Sequence, residues 1–147
     1  MDINKLIKQS LVLLLVCVIS AGLLSGVYLI TKDKIDNNAQ IAYKQAMEDV
    51  LPEKGKAVTC EAQGYSAPIQ LLVGVGENGK VVGIKVLSQR ETPGLGANIT
   101  DLKFLKQFIG KSAKDSIEAK QDIDAITGAT ISTKAVCKAV RKALGKE

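Results

Sequence analysis

Asp124-Ala125-Ile126-Thr127-Gly128-Ala129-Thr130, continued by Ile131-Ser132-Thr133, sets four hydroxyl side chains and a glycine within ten residues. An amphipathic helix follows directly. From Ile131 the apolar positions recur at Ala135, Val136, Ala139, Val140, Ala143 and Leu144, which is helical spacing. Lys138, Arg141 and Lys142 fall in its second half, where cations suit the negative end of the helix dipole, and Gly145 is a fitting stop. A helix start presents unpaired N–H groups and partial positive charge, which suits a phosphate. Gly128 and Ala129 would let a bulky phosphorylated group approach the backbone. The plainer reading of the same residues is an ordinary helix start capped by Thr130 or Ser132.

Upstream, Ile69 to Val75 is β-rich, Glu77-Asn78-Gly79-Lys80 carries a tight-turn signal, and Val81 to Leu87 returns, so a hairpin is expected over 67–89. Gly74, Gly76 and Gly83 within these strands point to a bulge or to close approach by another segment. Glu91-Thr92-Pro93-Gly94-Leu95-Gly96 reads as a turn, with proline presetting the first central position and Gly94 free to take φ > 0. Asp101 to Ile109 has the spacing of a short amphipathic helix closed by Gly110, and Ser116 to Lys120 reads as an edge strand.

The amino-terminal part is the most apolar. Leu11 to Ile30 contains no Asp, Glu, Lys or Arg, and a helix of that length reaches roughly 30 Å, enough to cross a bilayer. A cleaved signal peptide is the competing reading, but its apolar region is shorter, about 7–15 residues. An uncleaved anchor is therefore expected, with 1–10 as its flank, 11–30 as the transmembrane helix and 31–52 as a helical stalk ending at Pro52. Lys5 and Lys8 precede the span and Lys32 and Lys34 follow it, so charge alone leaves its orientation open. Residues 53–147 then form a single α+β domain, an antiparallel hairpin or sheet with flanking helices.

Composition removes several chemistries. The chain has 147 residues, no histidine and a net charge of +5. Without histidine there is no imidazole base, triad or His-ligated zinc. Cys17, Cys60 and Cys137 are too scattered for a cysteine metal site. Cys60 and Cys137 read better as free buried thiols than as a disulfide, although an oxidising compartment would permit pairing. The lysines alternate with acids, and with three Tyr, two Phe and no Trp there is little to stack on bases, so nucleic acid is not an expected partner.

The string Asp124-x-x-Thr127-Gly128-Ala129-Thr130 resembles the flavinylation motif of the FMN-binding domain family, which includes the G subunit of Rnf electron-transport complexes and the C subunit of the sodium-translocating NADH:quinone reductase. Glu91-Thr92-Pro93-Gly94-Leu95-Gly96 resembles that family's second signature, and the two occur in the family's order, about thirty residues apart. The resemblance implies FMN joined by a phosphoester to the hydroxyl of Thr130, with Asp124, Thr127, Gly128 and Ala129 around the phosphate. It also implies that Glu91, Thr92, Gly94, Leu95 and Gly96 lie against the isoalloxazine or ribityl part. Asp124 either assists attachment or stabilises the turn, and Lys134 reads better as solvated than as a phosphate partner. No metal and no catalytic group of the chain's own is implied. A separate magnesium-dependent flavin transferase would attach the FMN, because an unactivated threonine hydroxyl is a weak nucleophile. The implied setting is the cytoplasmic membrane, with a single span, the soluble domain outside the cytoplasm, and other membrane subunits of an Rnf-type complex as partners. A stand-alone flavinylated electron-transfer domain and a flavin-free, membrane-anchored interaction module are the alternatives.

Overall fold

In a computed structural model, residues 3–51 and 55–146 are described, with the side chains of Lys5 and Leu6 excepted. Pro52, expected to close the stalk, lies outside them. Two compact units result, Met1–Ile41 and Ala42–Glu147.

The first unit is helical. Helix α1 runs unbroken over Ile3–Val50, a stretch that contains no proline. From Ile7 it contains a stretch of mean hydropathy 2.5 with none of it buried, so it is long and apolar enough to cross a membrane. Leu14, Leu23, Leu24 and Ile30 all project from it, exposed.

The second unit is α+β, as the sequence pattern predicts. Strands β1 (Gly55–Gln63), β2 (Pro68–Gly76) and β3 (Val81–Ser88) form an antiparallel sheet in the order β1-β2-β3. The central strand is buried on both faces, with Ile69, Leu71, Leu72 and Val73 inaccessible. Helix α3 (Thr130–Ala143) packs its Val136, Ala139 and Val140 face on β1 and β2, and Gly145 ends it with φ of +73°. The Asp101–Ile109 segment is helical but broken, a turn of α2 (Leu102–Leu105) passing into a 3₁₀ turn at Lys106–Phe108. Its Phe104 and Phe108 meet edge to face with centroids 5.4 Å apart and close the core.

The glycines in the hairpin answer the question their positions raise. Gly74 and Gly83 are paired across β2 and β3, and the register shifts between Gly74 and Val75. The last turn of α1 sits on this pair. A Cβ on Gly83 would lie 2.9 Å from both Cα and O of Val50, and one on Gly74 would strike the Val50 carbonyl. Ala46 and Val50 are thus buried against Leu72 on the sheet face away from α3. The two glycines form a notch that a side chain would fill.

One expectation fails. Ser116 to Lys120 is not an edge strand. Ile117 and Lys120 take φ of +50° and +70°, and only an isolated bridge joins Ala119 to Ile123. Asp122 is the cause: its carboxylate accepts the amides of Ile117 at 3.0 Å and Glu118 at 2.7 Å, winding the chain around itself. Lys111 Nζ donates to the same carboxylate at 3.0 Å.

Candidate functional site

The two sequence signatures meet. A cavity of about 530 Å³ is lined by Tyr65, Glu91, Thr92, Leu95, Gly96, Gly128, Ala129, Thr130, Ile131 and Ser132. Local chemistry explains each wall. Thr92 O accepts the amide of Leu95 at 3.1 Å across Pro93-Gly94, and Gly94 takes φ of +76°, so this is the turn the Pro-Gly pair dictates. The chain then enters a 3₁₀ segment at Gly96–Thr100. On the opposite wall, Ala129 N–H donates to Ile126 O at 3.0 Å and Gly128 has φ of +76°, turning the chain into α3. Gly128 also faces the second signature, since a Cβ there would lie 2.9 Å from Leu95 Cδ2.

The expected caps are not caps. Ala129 holds the cap position, no side chain caps the helix, and Thr130 is its first residue. No acidic residue lies in the first turn. The neighbouring hydroxyls are committed elsewhere. Thr133 Oγ1 is fully buried, donates to Ala129 O at 3.0 Å and accepts Ile126 N–H at 3.2 Å. Ser132 Oγ is buried and donates to Glu91 Oε2. Thr130 is half-buried on the cavity wall, and its hydroxyl is the one left without a described partner among Thr130, Ser132 and Thr133.

Glu91 is the only charged side chain buried in the core among the described residues, with 6% of its surface accessible. Burial alone would raise its pKa, but the Ser132 hydroxyl and the amides of Ser66, Tyr65 and Ala67 outweigh that and hold it below the ordinary carboxylate value. Ser66 N–H donates to it at 3.0 Å, Tyr65 N–H at 3.3 Å and Ala67 N–H at 3.5 Å. Its own amide donates to Gln89 Oε1 at 2.7 Å.

Of the sequence-derived residues, Glu91, Thr92, Leu95, Gly96, Gly128, Ala129 and Thr130 line the cavity; Asp124, Thr127 and Gly94 do not. Asp124 is exposed, its amide donating to Gln107 Oε1 at 2.7 Å, and its carboxylate makes no turn-closing bond among the described residues. Lys134 is exposed. Three lining residues were not among the site residues read from the sequence: Tyr65, Ile131 and Ser132. Tyr65 lies on the loop between β1 and β2, with no motif around it. Ser132 was visible as a hydroxyl, but its bond to Glu91 joins positions 41 residues apart.

Comparison with known proteins fits this geometry. The FMN-binding domain family matches residues 64–145, and the RnfG amino-terminal region matches 1–50. The G subunit of the proton-translocating ferredoxin:NAD(+) oxidoreductase complex of Clostridium ljungdahlii is 45% identical over 59% of this chain and 50% of its own length. The G subunit of an ion-translocating oxidoreductase complex of Aliivibrio fischeri is 31% identical over 93% of this chain and 88% of its own. The crystal structure of Shewanella oneidensis NqrC superposes with a TM-score of 0.52 at 26% identity, covering 60% of this chain and 48% of that one. The Clostridium and Shewanella matches therefore span about half of those proteins. With both signatures on one cavity and the family match running through them, the chain belongs to the FMN-binding domain family.

Proposed function

We propose that this chain carries FMN covalently on Thr130 and relays electrons as the membrane-anchored flavoprotein subunit of an Rnf-type ion-translocating ferredoxin:NAD oxidoreductase complex. The observation that carries the reading is the cavity shared by Thr130 and the Glu91–Gly96 turn. Its residues fit a flavin mononucleotide. About 530 Å³ is within the range of small-ligand sites, roughly 300–1,000 Å³. A phosphate on Thr130 would sit at an uncapped helix start free of acidic residues. Bound FMN supplies the redox chemistry. The protein's part is to hold the phosphate at the start of α3 and to face the ring end with Thr92, Leu95 and the Gly96 backbone.

Thr130 is favoured by elimination as well as by resemblance. Ser132 and Thr133 are buried and committed, and Thr127 lies off the cavity. Attachment would be performed by a separate flavin transferase. The FMN phosphoryl group leaves FAD, the pyrophosphate P–O bond breaks, a bond to Thr130 Oγ1 forms, AMP departs and the hydroxyl proton is lost. The amino-terminal helix anchors the subunit in the membrane. The relatives belong to multisubunit complexes, which implies other Rnf-type subunits as partners. We assign the domain to the extracytoplasmic face, where a covalent bond prevents irrecoverable loss of the cofactor.

The test is denaturing electrophoresis of natively expressed protein. Flavin fluorescence should stay with the wild-type band and vanish from Thr130→Val, which keeps the side-chain shape without the nucleophile. A fluorescent Thr130→Val band overturns the attachment site. A dark wild-type band overturns covalent attachment. Purification free of other membrane subunits favours a stand-alone carrier.

A further inference from the structure

A carboxylate that is buried and ionised must have a reason to be where it is, because its desolvation is costly unless donors replace the lost water. Glu91 has such donors on two sides. The loop between β1 and β2 supplies the amides of Tyr65, Ser66 and Ala67, and the third residue of α3 supplies the Ser132 hydroxyl. The packing leaves it no freedom. A Cβ on Gly64 would lie 2.6 Å from Glu91 Oε1, and one on Gly96 would lie 2.8 Å from both Glu91 Cβ and Oε2. Two glycines therefore close around this one side chain, and all three segments it joins contribute to the wall of the cavity. Its charge is fixed in place, two helix residues from Thr130.

We propose that Glu91 is a positioning residue that also tunes the site: its carboxylate locks the start of α3 to the 65–67 loop, and its fixed negative charge lowers the reduction potential of the flavin held there. The inference rests on the FMN reading and deepens it. Reduction adds negative charge to the ring system, and a nearby anion with little water between disfavours that addition. The Ser132 hydroxyl points the positive end of its dipole at the carboxylate and so offsets part of the charge. Charge and partner thus push the potential in opposite directions.

The experiment uses the full-length protein, loaded with FMN by a flavin transferase, extracted in detergent and titrated against redox dyes. Glu91→Gln keeps the shape and an acceptor oxygen but removes the charge, and the midpoint potential should move positive. Ser132→Ala keeps the charge but removes its partner, and the potential should move negative. A purely structural role loosens the site in both variants and shifts both the same way. Shifts of the same sign, or a Ser132→Ala potential equal to wild type, overturn the proposal. If Glu91→Gln does not fold, the sign of the Ser132→Ala shift still decides. Wild-type protein that takes up no FMN refutes the flavin reading itself, which is a separate outcome.

Discussion

Replacing Gly96 with alanine adds one methyl group where the structure has no room for it. The new carbon would lie 2.7 Å from Ser132 Oγ and 2.8 Å from Glu91 Cβ and Oε2. None of these neighbours retreats easily, since one is on a helix, one is attached directly to backbone, and all are buried. Overpacking of this kind costs about 1–3 kcal/mol. Displacing Ser132 from Glu91 weakens a hydrogen bond to a charged group, a contribution of roughly 1.5–3 kcal/mol when fully lost. A destabilisation of about 2–4 kcal/mol is expected, lowering the Tm of a domain this size by on the order of 10–20 °C. Gly94→Ala, two residues away, is the control. Its φ of +76° makes alanine strained, but no atom lies within 4 Å of the new carbon. Only backbone strain of about 1 kcal/mol applies, with a Tm loss of about 4–8 °C. Scanning calorimetry of the purified variants measures both. If Gly94→Ala is as damaging as Gly96→Ala, or worse, the close packing around Glu91 is not what limits this turn.

Two further outcomes follow from burial and charge. The amides of Glu118 and Ile117 and the Lys111 ammonium overcome the burial of Asp122 and bring its pKa from 3.8 to about 2. A depressed carboxyl stabilises the fold above its unfolded value and stops doing so as pH falls through the folded one, so Asp122→Asn should cost about 2 kcal/mol at neutral pH. The gap between variant and wild type in denaturant melts should narrow steadily as pH falls from about 4 through 2, and a gap undiminished at pH 2 refutes the assignment. The Cys137 thiol is 1% accessible, and burial pushes its pKa up to about 11. It should resist alkylation by iodoacetamide at neutral pH in the folded domain and react on unfolding, as mass spectrometry of its peptide would show; labelling in the folded state counts against a packed core.

The elements legible in the sequence were those with strong local chemistry. The β2–β3 hairpin followed from β-branched runs around Asn78-Gly79, and α3 from its apolar spacing and Gly145. Strand β1 was not legible, because its buried positions are Cys60 and Ala62, small residues that give little alternation among Lys56, Thr59, Glu61 and Gln63. The false strand at 116–120 arose because the side chain that bends the segment, Asp122, comes after it. Both signatures of the site were plain, but the contacts that bring them together were not. Glu91 reads as a polar group offered to a ligand until its donors, 24 to 41 residues distant, are known.

The contact between Gly128 and Leu95 has a consequence for how such chains diverge. Each signature supplies part of the other's surroundings, so the two are a single inheritance carried in separate stretches of sequence. A larger residue at position 128 would meet the Leu95 side chain and would also be strained by the φ of +76° there. Descendants retaining one signature while the other decays should therefore lose the cavity altogether, and the survival of both is a better mark of a working site than either alone.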